Sequence, residues 1–203
     1  MNYLAHAFLA GDNDALRLGG LMGDFVKGPL PAGLPEAVAA GVALHRQIDS
    51  FADTHPAFRR SRERVSPPRR RYAGILVDMF YDHLLARSWE RFHPAPLEAF
   101  ADAAYTLLED HAPLLPERLT LILPAMRRNN WLASYAEGRS IALALERMAV
   151  HRLRRPNPLA GGLEELLADE AGFEADFQHF IRDARAFARA RADHLSTKAR
   201  SIT

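Results

Sequence analysis

The segment spanning residues 75–85, ILVDMFYDHLL, constrains the fold most, because it is strongly apolar and still carries charged side chains. Its composition is typical of a buried helix. In a helix, Asp78 and Asp82 would lie on one face with their Cβ atoms roughly 5–6 Å apart. Two carboxylates so close repel each other, and burying them without partners is costly. The segment therefore predicts a compensating cation, and a bound metal ion is the simplest candidate.

The rest of the chain reads as helices separated by proline- and glycine-rich breaks, and no window shows the alternation typical of strands. We therefore predict an all-α fold with roughly seven to nine helices. A single compact multi-helix domain is expected over residues 1–195, followed by a flexible C-terminal tail over residues 196–203. The longest predicted helices cover residues 36–54, 69–92, 117–134 with a kink at Pro124, and 170–195.

Composition restricts the chemistry of any metal site. The chain has no cysteine, so disulfides, zinc-thiolate sites and thiol nucleophiles are excluded. Histidine, carboxylate, amide or backbone ligands remain, and they suit Mn²⁺, Mg²⁺, iron or zinc held without sulfur. The N-terminus has no basic region before its short apolar run, and no apolar run reaches the ~18–20 residues of a membrane span. We therefore expect a cytoplasmic protein with no membrane span.

Candidate metal ligands gather in the first 83 residues, on apolar or glycine-rich segments. His45 and Asp49 repeat the i,i+4 spacing of Asp78 and Asp82 on a second strongly helical segment. Two helices that face each other would bring these four side chains together, as in metal sites built in bundle cores. The full set of candidates is His6, Asp24, His45, Asp49, Asp78, Asp82 and His83.

Each candidate also has a structural interpretation. His6 can be a core histidine bonded to a backbone carbonyl, and Asp24 can be a helix cap. The others can be local surface pairs or chance neighbours. The repeated spacing favours a metal or phosphate-chemistry site over these separate explanations. The chain has no GxSxG, no phosphate-binding P-loop and no GxGxxG, so serine hydrolases, NTPases and dinucleotide enzymes lack their usual motifs.

Arginine clusters are the main feature of the charge distribution, since the formal net charge is only +1. They favour an acidic partner or a phosphate, although a solvated arginine-rich surface explains any single cluster equally well. A nucleic-acid partner is not expected, because no recognisable reading helix accompanies the clusters. The candidate docking residues are Arg59, Arg60, Arg69, Arg70, Arg127 and Arg128.

Four ordered motifs together resemble one known family. They are MNYLAHAFLA at the start, GGLMGDFVKG around Asp24, AGVALHRQIDSFADTHP with His45 and Asp49, and ILVDMFYDHLLARSW. Two later segments, NNWLASY and the RLRRPNPL region, match the same family less closely. This combination is similar to the acyl carrier protein phosphodiesterase family, also called acyl carrier protein hydrolases.

The resemblance implies an all-α, HD-like helical fold related to the HD phosphohydrolases. It implies hydrolysis of the phosphodiester that joins 4′-phosphopantetheine to a serine of holo-acyl carrier protein, with Mn²⁺ favoured and Mg²⁺ as a possible substitute. One departure matters: the adjacent His-Asp pair of HD enzymes is reversed here, as Asp82-His83. The ligand set of HD enzymes therefore cannot be copied onto this chain.

The implied reaction suggests roles for the candidates. We expect Asp24, His45, Asp49 and Asp78 or Asp82 to hold metal. His6, His83 and Asp82 are the candidates for direct catalytic roles: His6 could bind metal or phosphate, and His83 could be a ligand or the general acid on the leaving serine oxygen. Lys27 and Arg46 would neutralise phosphate charge, and the arginine clusters would dock the acidic carrier protein.

Two alternatives remain open from the sequence. One is an HD-type phosphohydrolase that acts on nucleotides or other small phosphoesters. The other is a non-catalytic all-α interaction module, in which the acids are purely structural. Activity on holo-acyl carrier protein would separate the expected enzyme from both.

Overall fold

Helices and short loops make up the entire described chain, and no described residue lies in a strand, so the predicted all-α fold class is confirmed. A computed structural model describes residues 2–151 and 157–200, with the backbone alone for residue 151 and for residues 196–200. The α-helices are α1 (Tyr3–Leu9), α2 (Asp14–Met22), α3 (Glu36–Thr54), α4 (Pro56–Arg64), α5 (Ala73–Arg87), α6 (Leu97–Asp110), α7 (Glu117–Arg128), α8 (Trp131–Ser134), α9 (Gly138–His151), α10 (Leu163–Ala168) and α11 (Glu170–Arg200).

Helix α5 lies in the core, as its apolar sequence predicts. It contacts α1, α4, α9 and α11, and almost all of its side chains are buried. Phe80 and Tyr81 pack edge-on against Phe173 and Phe177 of α11, with ring centroids 5.2 and 5.4 Å apart. These aromatic contacts place the charged side chains of α5 in a tightly packed environment.

Helices α2 and α3 approach each other unusually closely, because glycines face each other at their crossing. A Cβ atom on Gly19 would lie 2.3 Å from the Val38 carbonyl oxygen and 2.6 Å from the Cα of Gly41. A Cβ atom on Gly41 would meet the Leu16 carbonyl oxygen at 2.6 Å. Since real Cβ contacts are longer, only glycine allows this crossing. It places the end of α2 directly against the middle of α3.

Buried acids of α10 and α11 anchor the arginine-rich segment that precedes α5. Asp176 accepts hydrogen bonds from Arg60 and Arg64 at 2.8 and 2.9 Å. Glu165 accepts from Arg69 at 3.0 Å and from the Ser66 backbone N–H at 2.8 Å. Charge-assisted hydrogen bonds of this kind are stronger than neutral ones. Much of the predicted basic surface therefore holds the C-terminal helices in place.

Two predicted helix boundaries were wrong. The helix expected over residues 69–92 begins only at Ala73, because Pro67–Tyr72 forms a 3-10 helix that starts with two prolines. The helix expected over residues 117–134 continues through Pro124 and ends at Arg128. The break comes from Asn130, whose φ of 42° is left-handed, a conformation that asparagine tolerates better than most residues.

The end of the chain is helical further than predicted. Helix α11 continues to Arg200, past the end expected at Leu195. Residue 1, the basic stretch 152–156 within the RLRRPNPL region, and the last tail residues 201–203 lie outside the described residues. Among the described helices, none combines the length and apolarity needed to cross a bilayer.

Gly19→Ala should destabilise the protein, because the new Cβ atom would overlap the α3 backbone. Overpacking of this kind costs about 1–3 kcal/mol, which equilibrium urea denaturation followed by circular dichroism would measure. Gly74→Ala is the matched control, since a Cβ atom there meets no described atom from outside its own helical turn within 4 Å and alanine is the better helix former. Equal destabilisation by both substitutions would contradict the close crossing of α2 and α3.

Candidate metal centre

Two histidines and one aspartate, from α1 and α3, converge on one point. The His6 Nε2 atom lies 3.1 Å from Asp49 Oδ1, and the His45 Nε2 atom lies 3.2 Å from Asp49 Oδ2. The two imidazole rings stack with centroids 3.6 Å apart. One potential ligand atom from each of the three residues lies within 4.8 Å of the other two. His45 and Asp49, which share one face of α3, therefore meet His6 of α1.

The backbone of α2 sets the orientation of the His45 ring. His45 Nδ1 lies 2.8 Å from the Gly20 carbonyl oxygen, which can only accept a hydrogen bond, so we assign the proton to Nδ1. In the neutral ring, the Nε2 lone pair then points toward Asp49 and toward Asp24, whose Oδ1 is 3.8 Å away. Gly23 leaves room for the ring, because a Cβ atom there would lie 2.2 Å from His45 Cγ. A backbone partner on the second nitrogen is typical of metal-binding histidines.

His6 is almost fully buried, and neither ring nitrogen makes a hydrogen bond of acceptable geometry. Burial and the neighbouring His45 together lower its pKa to about 4, against the opposing effect of Asp49. The imidazole is therefore neutral at pH 7, which is the form that binds metal ions. A buried polar group without a hydrogen bond is costly, so this ring points to a bound partner.

The carboxylates around the histidines have opposite pKa shifts. Burial would raise the pKa of Asp49, but the ring nitrogens of His45 and His6 outweigh burial and hold that pKa well below its usual value. Burial raises the pKa of Asp78, and the negative charges of Asp49 and Asp24 raise it further. One carboxylate is thus kept ionised between the two rings, while burial shifts the pKa of its neighbour Asp78 upward.

These three side chains fit a divalent metal ion. With His45 in the assigned tautomer, its Nε2 lone pair approaches Asp49 Oδ2 at 3.2 Å, and His6 Nε2 lies 3.1 Å from the other carboxylate oxygen, so a cation between the three groups would be well placed. Protons on both rings would place two positive imidazolium groups in a stack only 3.6 Å apart. A single divalent ion would satisfy both nitrogens and the carboxylate, and imidazole with carboxylate is a common ligand set. The donors therefore match a metal centre held by His6, His45 and Asp49.

A cavity of about 270 Å³ adjoins the metal centre. Its carboxylate lining comes from α3, from α5 and from the turn after α2, so the structure brings Asp24 and Asp78 to the same space as Asp49. Its apolar lining comes from α3, α4, α5 and α9. The lining residues are Asn2, Asp24, Asp49, Ala52, Asp53, Phe58, Gly74, Ile75, Asp78, Met79 and Met148.

Asp82, predicted as a ligand or catalytic residue, is placed elsewhere. Its two carboxylate oxygens accept hydrogen bonds from the Leu4 and Ala5 backbone N–H groups at 2.9 and 3.2 Å. These are orphan donors in the first turn of α1, so Asp82 acts as a cap supplied by another helix. Burial raises its pKa to about 7. The side chain lines neither the cavity nor the three-residue cluster, and the structure does not support its predicted metal role.

His83 is also directed away from the cavity. Its Nδ1 atom lies 2.7 Å from the Tyr135 carbonyl oxygen, and burial lowers its pKa. This is the core-histidine arrangement that was considered for His6. Arg46 donates to the Val26 and Gly28 carbonyl oxygens at 3.0 and 2.9 Å, so it holds the loop after α2. Lys27, in that loop, is exposed.

The predicted docking arginines divide into two groups. Arg60, Arg69 and Arg127 form ion pairs with Asp176, Glu165 and Asp102 at 2.8, 3.0 and 2.9 Å. Arg59 and Arg70 donate only to backbone carbonyl oxygens. Arg128 is exposed and has no ion pair with the residues that the structure describes. The second group retains its positive charge for a partner.

Several functional positions were missed from the sequence. Gly20 orients His45 through its carbonyl oxygen, and Gly23 leaves space for the His45 ring because it has no side chain. The glycine-rich run before Asp24 is the sequence feature that could have indicated both roles. Asn2 lines the cavity and donates to Tyr135 Oη at 3.2 Å. Gly74 lines the cavity from α5. No local sequence pattern marked the last two, because only the fold brings them to the site.

Asp82→Asn should weaken metal binding through α1. An amide can replace one carboxylate oxygen as acceptor, but its NH₂ group cannot accept the second backbone bond. Loss of a helix cap typically costs about 0.5–2 kcal/mol. Because His6 lies in the same short helix, we expect the Kd for Mn²⁺, measured by isothermal titration calorimetry, to rise several-fold.

Asp176→Asn is the control for Asp82→Asn. It also disrupts hydrogen bonds to a buried carboxylate, but these bonds join α4 to α11. This variant should lose stability and keep the wild-type Kd for Mn²⁺. An unchanged Kd in Asp82→Asn would refute the positioning role, and complete loss of metal with the fold intact would make Asp82 a direct ligand.

Comparison with known proteins identifies a family. The family model described as acyl carrier protein phosphodiesterase matches residues 1–184. No solved structure matches the chain, so the predicted relation to HD enzymes stays a prediction.

Individual relatives carry the same description. The acyl carrier protein phosphodiesterase of Pectobacterium atrosepticum is 36% identical over 183 residues, which cover 89% of this chain and 93% of that protein. The protein of the same name from Photorhabdus laumondii is 36% identical over 89% of this chain and 91% of its own length. That from Serratia proteamaculans is 35% identical, with 89% and 93% covered. The chain therefore belongs to the acyl carrier protein phosphodiesterase family of hydrolases.

Proposed function

We propose that the chain converts holo-acyl carrier protein to the apo form by hydrolysing the phosphodiester between the carrier's serine and 4′-phosphopantetheine. Family membership supports the substrate and the reaction. The observation that carries the mechanism is the pair of histidine nitrogens directed at Asp49 from two helices. We propose Mn²⁺ as the ion, with Mg²⁺ as a weaker substitute, held by His6, His45 and Asp49.

The chain's own residues would divide the remaining work. A bound divalent ion would supply Lewis acidity and a more acidic water. Asp24, which lies 3.8 Å from His45 Nε2, is suited to complete the ligand set. Asp78 lines the same cavity and has a raised pKa caused by burial and by its acidic neighbours. A carboxyl group in that state can donate a proton to the leaving serine oxygen, the role first suggested for His83.

Docking of the acidic carrier protein would use the positive side chains that are not already paired. Within the part of the chain that the structure describes, Lys27, Arg59, Arg70 and Arg128 meet this condition, whereas Arg60 and Arg69 are held by acids of the fold. Arg59 lies in the first turn of α4, directly after Phe58, which lines the cavity. Electrostatic complementarity of this kind favours association rate and orientation.

The test is incubation of the purified protein with holo-acyl carrier protein and Mn²⁺, followed by mass spectrometry. We expect loss of the mass of 4′-phosphopantetheine from the carrier. His45→Ala and Asp49→Asn should lower the rate at least about 100-fold, since even outer-shell changes at metal sites cost 10–100-fold. His179→Ala, an exposed histidine on α11, should be unaffected.

Two outcomes would contradict this proposal. Full activity of Asp49→Asn would remove the metal centre from the mechanism. Failure of the wild-type protein to convert the carrier, combined with hydrolysis of nucleotides or bis-p-nitrophenyl phosphate, would instead identify a small-phosphoester hydrolase. The interaction-module alternative is set aside, because the chain belongs to a family of hydrolases.

A further inference from the structure

We infer that the cavity beside the metal centre binds the pantetheine arm of the substrate, and that Gly74 sets the width of this binding site. The inference rests on the proposed function. It places the two groups that the scissile phosphate joins: the pantetheine arm would enter the cavity, and the carrier protein would stay outside. The residues that carry it are Phe58, Gly74, Ile75, Met79 and Met148.

The lining of the cavity is of two chemical kinds. Asp24, Asp49 and Asp78 adjoin the metal centre, and a bound cation would offset their negative charge toward a phosphate. Phe58, Ile75, Met79 and Met148 add apolar groups from α4, α5 and α9. Metal chemistry on a phosphate does not need this apolar surface. A ligand that continues beyond its phosphate as an uncharged chain would use both kinds of lining.

The size of the cavity also exceeds what a phosphate group requires. Its volume is about 270 Å³, close to the lower limit of about 300 Å³ for typical small-molecule pockets. A slender chain would fit such a space better than a bulky nucleoside. Further phosphates would meet Asp53 and Asp78 at the lining, so a polyphosphate tail is disfavoured.

Gly74 is the position at which the cavity can be narrowed without disturbing the protein. It lies one helical turn before Asp78 on the same side of α5, and both residues line the cavity. A Cβ atom on Gly74 would meet no described atom from outside its own helical turn within 4 Å. A larger side chain there would therefore extend into open space, where the arm is expected to lie.

The experiment compares two ligands on the full chain loaded with Mn²⁺, by isothermal titration calorimetry. Inorganic phosphate tests the metal centre alone, and 4′-phosphopantetheine tests the metal centre together with the cavity. We expect the wild-type protein to bind 4′-phosphopantetheine at least 10-fold more tightly than phosphate, which corresponds to about 1.4 kcal/mol. The difference measures the contribution of the arm.

Gly74→Leu should abolish this preference and raise the KM for holo-acyl carrier protein at least 10-fold, while the affinities for Mn²⁺ and for phosphate stay unchanged. Gly74→Ala should give a smaller loss in the same direction. Met148→Ala provides a second, independent variant. It should weaken the binding of 4′-phosphopantetheine several-fold without changing the affinity for phosphate. His179→Ala serves as the unaffected control.

Three results would overturn the inference. The first is an unchanged preference and KM in Gly74→Leu and Met148→Ala. The second is an equal loss of affinity for phosphate and for 4′-phosphopantetheine in these variants, which would show that the cavity affects only the metal centre and does not bind the arm. The third is a wild-type protein with no preference for 4′-phosphopantetheine. If the wild-type protein still converts the carrier in these cases, the inference fails alone; if it does not, the proposed function fails.

Discussion

The approach of two imidazole nitrogens to one carboxylate is the interaction on which the site depends. His6 and His45 come from different helices, and both direct Nε2 at Asp49 within 3.2 Å. A cation between the groups would bind both nitrogens and the carboxylate, and it would remove the repulsion between the His45 Nε2 lone pair and Asp49. The surrounding fold can be understood as the set of contacts that keep these three side chains together.

Those contacts depend mainly on backbone hydrogen bonds and on glycines, whose lack of a side chain allows close packing. The glycine contact between α2 and α3 brings the Gly20 carbonyl oxygen to His45 Nδ1, and Gly23 leaves space for the ring. On the other side, Asp82 binds the first turn of α1 and thereby holds the helix that carries His6. The two acids of α5 thus have separate roles, since Asp78 faces the cavity and Asp82 supports α1.

The sequence predicted the fold class and part of the site for identifiable physical reasons. Helical spacing identified the pair formed by His45 and Asp49, because i,i+4 neighbours share a face in any helix. The same rule placed Asp78 and Asp82 together, but it carries no information about what each side chain meets. The two acids have different roles because Asp82 binds the backbone of α1 and Asp78 lines the cavity. The role of His83 in the core likewise follows from its hydrogen bond to the Tyr135 carbonyl oxygen. Gly74 likewise became informative only when the space around it was known.

The location of the metal is the central claim, and a crystal structure with Mn²⁺, read by its anomalous scattering, tests it most directly. We expect one strong anomalous peak bonded to the Nε2 atoms of His6 and His45 and to a carboxylate oxygen of Asp49, at about 2.0–2.2 Å, the range for such ligands at small divalent ions. A peak bonded to Asp82 or His83, or an active protein with no metal at these three side chains, would contradict the proposed centre.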